Sequence, residues 1–106
     1  MFSLFKNDNI KSVNVNDMDS LIGKVNLIDI REPYEFKGGS LKGAKNIPMG
    51  TLLEHPERYL DKNNSNYIMC QSGGRSQRTC SLLSKQGFDV VNVAGGIGSY
   101  AGTKRS

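Results

Sequence analysis

An apolar run, Tyr67-Ile68-Met69, ends in Cys70 and passes through a polar loop, Gln71-Ser72-Gly73-Gly74-Arg75-Ser76, into Gln77-Arg78-Thr79-Cys80-Ser81-Leu82-Leu83-Ser84-Lys85-Gln86. The first run reads as the end of a buried strand, and the last segment as a helix that stops at Gly87. The thiol therefore sits between a strand end and a helix start. A loop in that place can curl its backbone N–H groups inward, and the paired glycines permit the positive φ angles that such a curl needs. The expected product is an anion cradle with a sulfur at its base. Helix N-terminal partial charge, the loop N–H groups and Arg75 all favour thiolate over thiol, so Cys70 is expected to be more nucleophilic than an ordinary cysteine.

The rest of the chain repeats the same alternation. Val25-Asn26-Leu27-Ile28-Asp29, Lys45-Asn46-Ile47 and Asp89-Val90-Val91-Asn92-Val93 read as further strands, and Val13 as the start of an edge strand. Asn16 can cap a helix carrying Met18, Leu21 and Ile22 that Gly23 ends. A second short helix holds Leu52 and Leu53, and Pro56 starts another turn through Tyr59 and Leu60. Residues 61–66 read as a polar loop and residues 102–106 as a mobile tail. Strands alternating with helical segments imply an α/β layered domain with a mainly parallel central sheet flanked by helices, where ligands bind beyond the carboxyl ends of strands. Cys70 occupies such an end.

A chain of 106 residues supports one core and is too short for two, so residues 1–106 are expected to form one domain. Its charge is +4, from 14 basic against 10 acidic residues, which helps attract small anions. No basic block is interleaved with aromatics, so nucleic acid is not an expected partner. No apolar run approaches the roughly 20 residues of a membrane span, and residues 1–5 are too short for a signal-peptide core. The expected setting is the cytoplasm, with both cysteines reduced.

Four ordered segments carry a resemblance: residues 70–76; Leu27-Ile28-Asp29-Ile30-Arg31-Glu32 with Glu35; Leu41-Lys42-Gly43-Ala44-Lys45-Asn46-Ile47-Pro48; and Val93-Ala94-Gly95-Gly96-Ile97 with Tyr100. Together, over about residues 13–100, the chain resembles the rhodanese family, sulfurtransferases that pass sulfane sulfur through a cysteine persulfide. The resemblance implies the rhodanese-like fold, with Cys70 as the nucleophile and Gln71, Ser72, Gly73, Gly74, Arg75 and Ser76 as the substrate-binding loop. It also implies a small anionic sulfur donor, such as thiosulfate or a persulfide, and a thiol or cyanide-like acceptor that can be a protein thiol. The chain departs from the family where a basic residue often follows the cysteine, where a histidine often stands at Ser40, and where a tryptophan often stands at Tyr100. The first departure leaves the cradle less positive; the other two concern packing.

Loop length separates sulfur from phosphate chemistry. Tyrosine-phosphatase-type loops have five residues between cysteine and arginine, whereas here four separate Cys70 from Arg75. The smaller ring suits a persulfide sulfur better than a tetrahedral phosphate. No cofactor is expected, and one histidine with two cysteines ten positions apart makes no metal-site spacing. Arg75 is expected either to touch the anion or to close the loop against a carboxylate such as Asp29 or Glu32. Cys80 shares a helical face with Leu83 and reads as core rather than as a resolving thiol. Asp29, Arg31 and Glu35 fit an ion-pair network at a strand end as well as they fit substrate contact. His55 reads as a surface residue, and Gly95-Gly96 as a tight turn rather than a nucleotide loop.

Overall fold

The computed structural model describes residues 10–106, so the reading of residues 1–5 lies outside the described part. Five strands, β1 (Lys11–Asn14), β2 (Asn26–Asp29), β3 (Lys45–Asn46), β4 (Asn66–Met69) and β5 (Val90–Ala94), form one sheet in the order β1-β5-β4-β2-β3. Every pairing in it is parallel. Among the described residues three α-helices accompany them: α1 (Pro33–Lys37), α2 (Met49–Glu54) and α3 (Gly74–Lys85).

A parallel sheet has to be covered on both faces, and strand alternation sorts its side chains between two cores. Ile28, Ile68 and Val90 face Leu52 of α2 and Cys80 and Leu83 of α3. Leu27, Met69 and Val93 face Val15, Met18, Leu41, Ile97 and Tyr100 on the other side. Cys70 stands two residues beyond Ile68 and joins its core. This period-two placement is what puts the sulfur under the start of α3 rather than on the opposite face.

Several local expectations are corrected. The helix expected from Asn16 is a 3₁₀ turn over Val15–Ser20, and its cap is Asn14, whose Oδ1 accepts from the Asn16 N–H at 2.9 Å. Asn16 itself holds the C-terminal region, donating to Ser99 O and accepting from the Ala101 N–H. Asn66, read as loop, opens β4 fully buried, with its carboxamide bonded to Asn26, Asp61 and the Asp89 carbonyl. Residues 102–106 lie antiparallel beside residues 40–42: the Lys42 N–H donates to Lys104 O, and the Ser106 N–H to Ser40 O. Arg105 adds a stacked contact over the Tyr100 ring, 5.4 Å from its centre. Among the described residues, no helix is long and apolar enough to cross a membrane.

Candidate active site

The loop after β4 closes on the Cys70 sulfur. Gly73 takes φ +102°, a left-handed angle that suits glycine, and its N–H points at Sγ from 3.1 Å. Its neighbour Gly74 has no such angle and is instead the first residue of α3. The Ser76 N–H and Ser76 Oγ each lie 3.4 Å from Sγ. Burial pushes the Cys70 thiol up, but hydrogen bonds from the Ser76 hydroxyl and the Ser76, Gly73 and Ser72 N–H groups outweigh it and hold the thiol below its ordinary value. Neutral N–H groups are thus the donors that meet the sulfur, and the Ser76 hydroxyl oxygen stands beside it.

The turn at Gly95-Gly96 seats this loop. Ile97 N–H donates to Cys70 O at 3.0 Å, and Gly98 N–H to Gln71 O at 2.9 Å. A Cβ on Gly96 would drive into both of those carbonyls, so this glycine is required by close approach as well as by its φ of +61°. The tight turn expected from the sequence is therefore also a support for the site, which its glycines alone did not reveal.

A family model described as Rhodanese-like domain matches residues 14–103. The chain belongs to the rhodanese-like domain family. Among its relatives is YtwF of Bacillus subtilis (strain 168), whose name includes the word sulfurtransferase; it is 42% identical over 76 residues, covering 72% of this chain and 73% of that one. A protein named Sulfurtransferase from Allochromatium vinosum is 37% identical over 76 residues, covering 71% of this chain and 70% of its own. The crystal structure of a rhodanese-like domain protein from Staphylococcus aureus superposes with a TM-score of 0.76 at 31% identity, covering 88% of this chain and 95% of that one.

Within this rhodanese-like domain, the side chains around the loop are engaged with one another. Arg75 makes a two-pronged pair with Glu35 of α1, both N···O distances being 3.1 Å. Its carboxylate partner is thus neither Asp29 nor Glu32. The Arg75 hydrogen bond holds the Glu35 carboxyl below its ordinary value, and the same bond raises Arg75. Gln71 turns its Oε1 to Arg31 Nη1, 3.1 Å away. Arg31 is bound in turn to both carboxylate oxygens of Asp29 and to Gly39 O, and the Ser40 hydroxyl adds a 2.7 Å bond to Asp29. Ser40 therefore completes the buried charge network. Ser72 is exposed and enters through its N–H.

Cys80 has no exposed surface, and burial pushes its thiol up to about 12. The two cysteines should therefore separate chemically. Native protein near neutral pH is expected to take up one iodoacetamide, at Cys70, and denatured protein two, as read by intact mass. Labelling of Cys80 in the native state would show that the helix opens. The linkage signs are opposite. Cys70, depressed in the folded state, contributes stability that is full above the ordinary thiol range and is lost as pH falls through its folded value. Cys80, raised, withdraws stability as pH climbs from the ordinary thiol range toward about 12.

Proposed function

We propose that this domain is a sulfurtransferase in which Cys70 carries sulfane sulfur as a persulfide. The observation that carries the reading is the convergence of the Gly73 and Ser76 N–H groups on one buried sulfur, with the Ser76 hydroxyl oxygen 3.4 Å away. Such a ring stabilises an anion at the sulfur without a proton transfer. The Cys70 thiolate attacks the outer sulfur of a donor; the donor's S–S bond breaks, and its electron pair leaves with sulfite or a thiolate. A persulfide anion remains on Cys70. An acceptor thiolate or cyanide then attacks the outer sulfur, the Sγ–S bond breaks, and its electrons return to Cys70. Both steps proceed without a general acid, a metal or an organic cofactor.

The charge pattern also bears on the donor. Arg75 is held by Glu35 and Gln71 by Arg31, so the cradle works mainly through neutral donors. That favours a persulfide donor over doubly charged thiosulfate. It also supports a second reading, in which the domain is a cytoplasmic sulfur carrier or sulfur-binding module serving one protein partner. Glu35→Gln should free Arg75 and lower the KM for thiosulfate several-fold while leaving a persulfide donor nearly unchanged. An equal change for both donors would make the pair purely structural.

The test of the whole reading is to load the protein with thiosulfate or a persulfide, weigh the Cys70 peptide, and add cyanide. The expected results are one added sulfur atom on Cys70 and release of thiocyanate. Sulfur on Cys70 that passes to a protein thiol but not to cyanide would favour the carrier reading. Failure of every donor to load Cys70 would refute both, as would aryl phosphate hydrolysis through Cys70 at a rate comparable to sulfur transfer.

A further inference from the structure

Asn92 interrupts an otherwise apolar strand, Val90-Val91-Asn92-Val93-Ala94, with a carboxamide on a residue only 5% exposed. A buried amide is costly unless it is bonded, so the position calls for a partner. The partner is Ser76, whose Oγ meets Asn92 Oδ1. Register explains the meeting: Asn92 pairs with Ile68, which stands two residues before Cys70, so the carboxamide and the sulfur share the face beneath the first turn of α3.

Ser76 has one hydroxyl proton and three neighbours for it: Asn92 Oδ1, the Gly73 carbonyl at 3.1 Å and Cys70 Sγ at 3.4 Å. When Oδ1 faces Ser76, the proton goes to Asn92, and Oγ is left to accept the S–H of a neutral thiol. When the amide is turned over, Nδ2–H donates to Oγ, and the hydroxyl proton is released toward an anionic sulfur. The two orientations have the same shape. We propose that Asn92 is a positioning residue whose carboxamide sets the direction of the Ser76 hydroxyl, presenting oxygen while Cys70 is a thiol and nitrogen while it is a thiolate or persulfide. The Ser76 hydroxyl then has a partner for its proton and for its oxygen in both states, which a group that only donates or only accepts could not provide. For the thiolate the inference stands on geometry alone; its extension to the persulfide rests on the sulfur-transfer reading.

Other charged or titratable groups bear on Cys70 and must be held constant. They are Arg75 and Cys80 on α3, Glu35 of α1 paired to Arg75, and the Asp29–Arg31 pair at the end of β2. None of them is altered in the test. Iodoacetamide alkylation of Cys70 is followed against pH in wild type, Asn92→Val, Ser76→Ala and the double variant, with circular dichroism as the check on folding. Valine suits the strand and flanks the position on both sides. Asn92→Val should raise the midpoint by about one unit, an approximately tenfold loss of alkylation rate below it. Ser76→Ala should raise it at least as far, and the double variant no further than Ser76→Ala.

An unchanged midpoint in either single variant, or shifts that add in full, would overturn the proposal. The unmodified protein supplies a measurement that does not depend on a variant folding. The Asn92 side-chain amide signals in a ¹⁵N-labelled sample should move with the ionisation of Cys70, and signals that stay fixed through that titration would also overturn it. Both readouts use the free thiol, so they remain decisive even if no donor ever loads Cys70.

Discussion

Cys70→Ser is expected to abolish sulfur transfer, by a factor on the order of 10³ or more, while the protein keeps its native circular dichroism. A serine hydroxyl is not ionised by the cradle at neutral pH, and it cannot form the sulfur–sulfur bond on which both half-reactions depend. The fold should survive because the replacement differs by one atom and its oxygen can accept from the same Gly73 and Ser76 N–H groups. Residual turnover near the wild-type rate in purified serine variant would move the chemistry to another group. Cys80→Ser is the companion: it should retain transfer, because Cys80 is enclosed in the core beside Leu83 and its thiol stays protonated.

Arg31→Met is expected to cost about 3–5 kcal/mol of stability, a large part of the ~5–15 kcal/mol that holds an ordinary domain together. Asp29 is fully buried and Arg31 only 4% exposed, so removal of the guanidinium leaves a carboxylate out of water with the Ser40 hydroxyl and the Arg31 N–H as its remaining partners. Two hydrogen bonds do not replace a cation there. Asp29→Leu combined with Arg31→Met should recover part of the loss, because neither charge then remains buried alone. Urea unfolding of the wild type and these variants checks this. A loss below about 1 kcal/mol in Arg31→Met would mean that water reaches the site and screens the charge. On the sulfur-transfer proposal the folded fraction should also transfer sulfur less well, since Arg31 anchors the side chain of Gln71, the residue after Cys70.

Much of the architecture is local in origin and was therefore legible. The apolar cores of β2, β4 and β5, the helix that stops at Gly87 and the enclosure of Cys80 follow from periodicity and glycine conformation over a few neighbouring residues. The same holds for the sulfur at the strand end inside a curl of N–H groups. Where local signals failed, competing contacts decided. α1 is five residues long, too short for a periodic stripe, and its start is fixed by Pro33 and by the Glu32 N–H bonding back to Glu35. Asn66 has the composition of a loop, yet its carboxamide holds the turn before β4 and the neighbouring strand ends.

What the sequence determined by itself, then, is the order of strand, loop and helix, the family, and the residue on which the chemistry is proposed to rest. What only the tertiary structure decided is which distant side chains serve that residue. Glu35 is 40 positions from Arg75, and Asn92 is 16 positions from Ser76. They meet because the sheet order sets β4 between β2 and β5, so that the segments following β2 and the side chains of β5 converge on the loop that leaves β4. The physical reason is range. Backbone preference and side-chain periodicity act between near neighbours in the chain, whereas an ion pair or a buried amide bond depends on separations that exist only once the strands have been placed.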